Sequence, residues 1–327
     1  MIIALALVGY SLLLAAVIPP MLLSARWVDR APRLAIMCWH ALTGTVLATA
    51  IMAGLSLTIP TLPVSRQLAE FFQACAMSLR LQYASPGGWI FGLLGGLLAV
   101  GLIGRVTWFL TSASVNLIRE RARHRRILDI VGRNDDERGI VILDCDESTV
   151  YCVRGRRSKT VVTTAALEAL NDDQLIAVLA HENAHLTERH DLALALSNGL
   201  AKAFSGLTLF PTAVSEISRL VELRADDVAA AQTDRLTVAD ALLAVLPNSG
   251  VQARPAMALF AAGNGTAIRV RRLIPPSNPL SRIQSTAGIL GVAIILSMPL
   301  LILGGPAVAA IQQDLCPVTS TSTSTSH

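Results

Sequence analysis

Charge is scarce in this chain. Asp, Glu, Lys and Arg make up 15% of its 327 residues, against roughly 25% in soluble domains. That shortage argues against a large water-soluble protein. Aromatic residues are scarcer still, at 4%, so the 53% hydrophobic content is mostly Ala, Leu, Val and Ile. The formal net charge is only +4, a value that gives no reason to expect direct nucleic acid binding. Paired cysteines are also lacking. Cys38, Cys75, Cys145, Cys152 and Cys316 form no CxxC motif, so a cysteine-built zinc site is not expected.

What the chain does have is apolar sequence in long runs. A membrane span needs about 20 mostly apolar residues. Four stretches qualify: 2–23, 34–58, 88–110 and 286–311. The first lacks the basic start and cleavage site of a secretory signal and reads as a retained anchor. Arginines mark the cytoplasmic side. Arg26, Arg30 and Arg33 occupy the first loop; the second, 59–87, has only Arg66 and Arg80. Arg105, Arg119, Arg121, Arg123, Arg125 and Arg126 follow the third span's core, and Arg269, Arg271, Arg272 and Arg282 precede the fourth span. The N-terminus is therefore expected outside, with loop one and the long segment 111–285 in the cytoplasm.

This topology divides the chain into three transmembrane helices (1–110), a cytoplasmic domain (111–285), a fourth span (286–311) and a disordered extracytoplasmic tail (312–327). The tail alternates Ser and Thr from Thr319 to Ser326. Cys75 and Cys316 share the oxidising side, where a disulfide and two free thiols are both open. Cys145 and Cys152 read as small buried hydrophobes. Gly88, Gly92 and Gly96 suggest a ridge for close helix packing.

Within the cytoplasmic segment, 111–130 reads as a basic helix leaving the membrane, and 133–138 as polar and turn-like. Strands are expected at 139–144, 149–154 and 159–163, forming a small antiparallel sheet. The strand at 159–163 is the candidate edge for pairing with an extended peptide. The period then changes. Asn171, with Gln174 three residues on, resembles a capping box. It opens a helix over 172–189 that carries VLAHENAHLTERHD.

That helix holds the chemistry. His181 and His185 are four residues apart and share a helix face, where two imidazoles can bind Zn²⁺. Glu182 sits where it can act as general base on an attacking water, which completes HExxH. A catalytic zinc needs a third protein ligand. VELRADD supplies Glu222 for this, with Asp226 one turn later to fix a ligand imidazole. The apolar stretch 192–214 between the two motifs cannot cross the membrane once, because Glu222 would then be on the wrong side. Helices that bend back or lie on the membrane surface, and a helix buried in the soluble domain, are both open. His190, on the expected motif helix, is a candidate substrate or oxyanion contact, with a surface polar cluster as the alternative. His40 and His124 read as structural.

The run TTAALEALNDDQLIAVLAHENAHLTERHD followed by VELRADD resembles the glutamate-zincin membrane peptidases. Two groups share it: BlaR/MecR-type sensor peptidases and HtpX-type quality-control proteases. Three spans before the motif and one after are closer to the BlaR/MecR type. The resemblance covers 1–311 in architecture and 139–230 in motif. It implies an α-helical membrane protein with four transmembrane helices and a cytoplasmic α+β zincin-like metallopeptidase domain. It also implies Zn²⁺ as cofactor, His181, His185 and Glu222 as ligands, Glu182 as base and Asp226 as a positioning residue. The expected setting is a bacterial plasma membrane, with the lipid bilayer and a cytoplasmic protein substrate as partners. A BlaI-type repressor fits the first group, general quality control the second, and a homo-oligomer is compatible with either. A catalytically silent signalling scaffold is the reading from another class. The chain departs from the BlaR/MecR pattern after the last span, where a large penicillin-binding domain is expected and about 16 residues stand.

Overall fold

The computed structural model describes residues 2–58, 89–135, 139–155, 158–245, 256–276 and 278–313, with backbone only for 256–264 and 304–313. Arg66, Arg80, Cys75, Cys316, Gly88 and the Ser/Thr tail lie outside the described residues. The described residues fall into two compact units.

The first unit takes the described residues of Met1–Pro20, Ala41–Gly104 and Leu290–His327. Its apolar runs form helices, because a helix satisfies its own backbone groups where no water can. They are α1 (Ile2–Ser24), most of α3 (Pro32–Thr58), the start of α4 (Trp89–Val131) and most of α11 (Arg282–Gln313). Among the described residues, these four helices are long and apolar enough to cross a membrane. Ile3, Leu7 and Ala53 form a buried cluster with Met52, Ile302 and Leu303 packed against it. The Tyr10 hydroxyl donates to the Ile295 carbonyl at 3.2 Å. Helices α3 and α4 make backbone-close contact at Gly54 and Gly95. A Cβ on either would stand 2.7 Å from the other's carbonyl oxygen, and Ala99 packs beside them. Gly95 therefore leads the close approach, while Gly96 of the expected ridge faces Thr58.

The second unit takes the described residues of Met21–His40 and Arg105–Ile289. The short helix α2 (Trp27–Arg30) belongs to it. At its centre is a four-stranded sheet: β1 (Arg133–Asp135), β2 (Ile140–Leu143), β3 (Val150–Val153) and β4 (Lys159–Thr163), in the order β1-β2-β4-β3. Alternation splits its side chains between two cores. Ile140, Ile142 and Val162 pack with Leu170, Leu175, Ala177 and Ala180. Val141 and Val161 pack on the other face with Leu128 of α4 and Val153.

The helices of this unit follow from caps and apolar faces. Helix α5 (Thr164–Ala169) is capped by the Thr163 hydroxyl. Helix α6 (Asp172–Thr187) starts at a complete capping box of Asn171 and Gln174, which satisfies two otherwise orphaned backbone donors. Helices α7 (His190–Ala203) and α8 (Leu209–Gln232) form a hairpin, followed by α9 (Arg235–Ala244) and α10 (Ala256–Leu273). Helix α8 buries residues on nearly every side, including Ile217, Leu220, Val221, Leu223, Ala225 and Ala229.

Several expectations need correction. The sheet is mixed: β2 and β4 are parallel, and only the outer pairs are antiparallel. Residues 133–135, expected as a turn, add the strand β1. Strand β4 is internal, so it cannot serve as the edge; β3 does. The third span and the basic helix are one continuous helix of 43 residues, since nothing in 105–116 breaks it. The stretch 192–214 needs no correction: it is broken around residues 204–208 into two helices, as a chain that bends back requires.

Candidate metal centre

Helix α6 presents His181, Glu182 and His185 together. Their ligand atoms lie within 4.8 Å of one another, a group that could hold a metal ion. Helix α8 adds Glu222 from the next helix but one. The two Nε2 atoms of His181 and His185 are 3.2 Å apart. Glu222 Oε2 is 3.5 Å from His181 Nε2, and Glu222 Oε1 is 3.7 Å from His185 Nε2. A tetrahedral zinc with bonds of about 2.0–2.2 Å has donor–donor edges of about 3.3–3.6 Å. The three distances bracket that size, the two to Glu222 running to its different carboxylate oxygens, and two imidazoles with a carboxylate are a donor set that suits zinc. Glu182 is also within metal reach, but Glu222 supplies the closing edges.

Behind each imidazole stands a chain of polar groups. Asp226, fully buried, has Oδ1 3.0 Å from His181 Nδ1, without the ring N–H aligned on the oxygen. Arg269 of α10 clamps Asp226 with two hydrogen bonds, Nε to Oδ2 at 2.8 Å and Nη2 to Oδ1 at 2.6 Å. Its Nη1 pairs with Glu222 Oε2 at 3.0 Å. Its Nη2 lies 3.5 Å from His181 Nε2. Behind His185, Nδ1 meets His190 Nδ1 at 3.0 Å. His190 Nε2 is 3.5 Å from Glu188, and Arg224 forks onto Glu188 at 2.5–3.0 Å.

His190 thus differs from expectation in two ways. It opens α7 and is not on the motif helix, because the chain turns at Arg189 with a positive φ of 55°. It is also buried, 4% exposed, and turned toward His185. It belongs neither to a surface cluster nor to the wall of the cavity at the site. Arg269 was legible in sequence only as a charge near a span. Nothing in the local pattern ties it to Asp226, since 43 residues separate them.

Electrostatics differ sharply within the group. Burial raises the Glu182 carboxyl above its ordinary value, with Glu222 adding to the rise and His181 and Arg269 opposing it. Burial works against charge on His181, but Asp226 and Glu222 outweigh it and lift the imidazole to about 9. Burial brings His185 down to about 4, with Glu222 opposing. Glu222 and Asp226 would be raised by burial, yet His181 and Arg269 hold both below the usual carboxylate range.

A cavity of about 170 Å³ opens beside the group. Its walls are Val150 of β3, Ala177 and Val178 of α6, and Val238, Ala241, Leu242 and Val245 at α9; His181, Glu182, Glu222 and Arg269 line its polar side.

Residues 121–273 match the model of Peptidase family M48. The matched stretch contains the sheet, the His181–Glu182–His185 group and Glu222, and it is a metallopeptidase domain of that kind. No curated protein and no solved structure matches the chain.

Proposed function

We propose, from a peptidase family M48 domain over 121–273, that this chain is a membrane-embedded zinc endopeptidase acting on a cytoplasmic protein. The observation that carries this reading is the close grouping of His181, Glu182 and His185, which could hold a metal ion, with the Glu222 carboxylate within 3.5–3.7 Å of both imidazoles.

His181, His185 and Glu222 would hold the ion. Zinc supplies a Lewis acid that activates water and polarises the scissile carbonyl. Glu182 takes the proton of the attacking water and passes it to the leaving amine; its raised pKa suits a group that must both accept and release a proton. Asp226, held by Arg269, orients His181. His190, held by Glu188 and Arg224, accepts from His185 Nδ1 and fixes that ring. The outer strand β3 pairs with the backbone of an extended peptide.

Four candidate spans, three before the motif and one after, support a multi-pass plasma-membrane protein with its N-terminus outside. Hydrogen bonds inside the second unit support one part of that topology. Asp29 accepts from Arg219 at 2.6 Å, and Arg30 donates to the Asn278 carbonyl at 2.8 Å. These contacts support a loop one and a 121–273 domain on one side of the membrane, and the arginines support the cytoplasmic side. The three-plus-one order favours a regulatory protease that cleaves a repressor.

The test is a substrate trap. Glu182→Gln should retain zinc, lose peptide turnover by at least about 100-fold, and capture one dominant DNA-binding protein. Capture of many misfolded membrane proteins would assign quality control instead. Equal turnover by wild type and variant would end the enzyme reading in favour of a silent scaffold.

A further inference from the structure

Two cavities of the second unit lie away from the metal centre and share one side chain, Arg30. The larger, about 430 Å³, is polar: Arg30, Arg235 and Arg272 line it together with Asp29 and Asp227. The smaller, about 340 Å³, is mostly apolar, with Trp27, Leu34, Leu280, Ala287 and Gly288 on its walls. Both volumes are in the range of small-molecule sites.

The charges of the larger cavity do not balance. Asp227 takes both prongs of Arg272 at 2.8 Å, and Asp29 accepts from Arg219 at 2.6 Å. Arg30 donates only to neutral oxygens: the Asn278 carbonyl at 2.8 Å, Asn278 Oδ1 at 2.9 Å and the Pro279 carbonyl at 3.2 Å. Arg235 likewise donates to the Leu273 and Arg272 carbonyls, at 3.1 and 2.7 Å. Among the described residues, neither meets a carboxylate. An arginine that only marks the cytoplasmic side trails into water. These two are fixed by carbonyls on the wall of a cavity, and a guanidinium fork suits a phosphate.

The smaller cavity says what carries that phosphate. It lies where α3 begins at Pro32 and α11 at Arg282, and both helices are candidate spans. The two touch there: a Cβ on Gly288 would stand 2.6 Å from a Leu34 methyl. Trp27 is of the residue type that settles at a membrane's polar boundary. A soluble anion would leave the apolar cavity unused, and an apolar molecule would leave both arginines unanswered. An amphiphile with an anionic head answers both, and basic pockets between spans take such head groups.

We infer that the two cavities form one site for an anionic phospholipid of the cytoplasmic leaflet, its phosphodiester received by Arg30 and Arg235 and its acyl chains starting against Trp27, Leu34 and Ala287. The inference rests on the membrane placement proposed above and is independent of the peptidase chemistry.

The test uses full-length protein, purified in detergent and stripped of lipid. It is titrated with phosphatidylglycerol, with phosphatidylcholine of the same acyl chains, and with glycerol phosphate, and bound ligand is counted by native mass spectrometry. Phosphatidylglycerol should bind at least about 10-fold more tightly than phosphatidylcholine, since a net negative charge gains roughly fivefold from each arginine. Glycerol phosphate should bind more weakly than either lipid. Arg235→Gln should weaken phosphatidylglycerol about fivefold. Because Arg235 also ties down the end of α10, a second variant leaves every arginine in place. Ala231, on the wall of the larger cavity, becomes a carboxylate in Ala231→Glu, which should abolish the preference for the anionic lipid; Ala231→Gln, of the same size, should keep it. Equal binding of the two lipids, or a preference unchanged in Ala231→Glu, would overturn the site while the membrane placement stands. Glycerol phosphate binding as tightly as phosphatidylglycerol would overturn the lipid and assign a soluble phosphate ester. Protein recovered in the soluble fraction without detergent would overturn the membrane placement and the site with it.

Discussion

Arg269 acts through other side chains. It touches one proposed ligand, Glu222, and the carboxylate behind another, Asp226. Replacing it with methionine leaves Asp226 buried without its cation, and zinc affinity should fall about 10–100-fold in a competition assay with a chromogenic chelator. Arg269→Lys should recover only part, because lysine cannot make the two-pronged contact. Metal uptake should also be coupled to protons. His181, lifted to about 9 in the metal-free protein, must lose its proton to bind. Near pH 7 zinc binding should release about one proton from it, and this release should fade as pH rises through 9. Calorimetry in buffers of different ionisation enthalpy measures this directly. Stability of the metal-free domain follows from Asp226. Its folded pKa is depressed, so its contribution is present above the unfolded value of about 3.9 and is lost as pH falls through the folded one. Denaturation midpoints measured from pH 6 downward should therefore drop at the acid end. At this scale the sequence was informative where partners were neighbours on a helix. His181, Glu182 and His185 share a face by spacing, whereas Glu222 and Asp226, by themselves an ordinary charged helix face, read as ligand and positioning residue only because HExxH stands in the same chain. Arg269 was not legible, because its run of arginines served equally well as a topology signal.

Elements were legible by the same rule. The capping box of α6 and the apolar runs of α1 and α3 are local facts, and their positions follow from the sequence. Strand order is not local. The parallel pairing of β2 with β4 joins residues about 20 apart across an intervening strand, and no periodicity reports it. Strand β1 is three polar residues held only by pairing with β2. The break at Arg189 was hidden because a positive φ at arginine carries no sequence signature. A left-handed residue other than glycine costs on the order of 1 kcal/mol. Arg189→Gly should therefore raise thermal stability slightly, and Arg189→Val should lower it. A larger effect is expected at the helix crossing. Gly95→Val places atoms where the Gly54 carbonyl stands, and should reduce the melting temperature and yield of detergent-purified protein, while Gly101→Val, at a glycine with open space around it, should not.

For the whole molecule, composition conveyed the long apolar helices before any motif was read. The two compact units were less predictable, because their boundaries cut through α1, α3, α4 and α11 instead of falling in loops. Asp29 and Arg30 explain part of this. They lie between two apolar helices in sequence, yet they are bonded to α8 and to the segment after α10. Asp29→Ala should loosen that attachment. Limited proteolysis should then cut the segment 25–31 faster while zinc content stays the same.

The polar chain behind His181 has a consequence for synthesis. Arg269 lies 88 residues after His181. At about 5–20 residues per second, a ribosome needs roughly 4–18 s to cover that distance. Throughout this interval the two histidines exist without the arginine, and for the first part without Glu222. Full-strength ion capture at the proposed site is therefore expected late in the life of the nascent chain, after Arg269 has been made. Chains arrested before Arg269 should bind zinc more weakly than those arrested well beyond it.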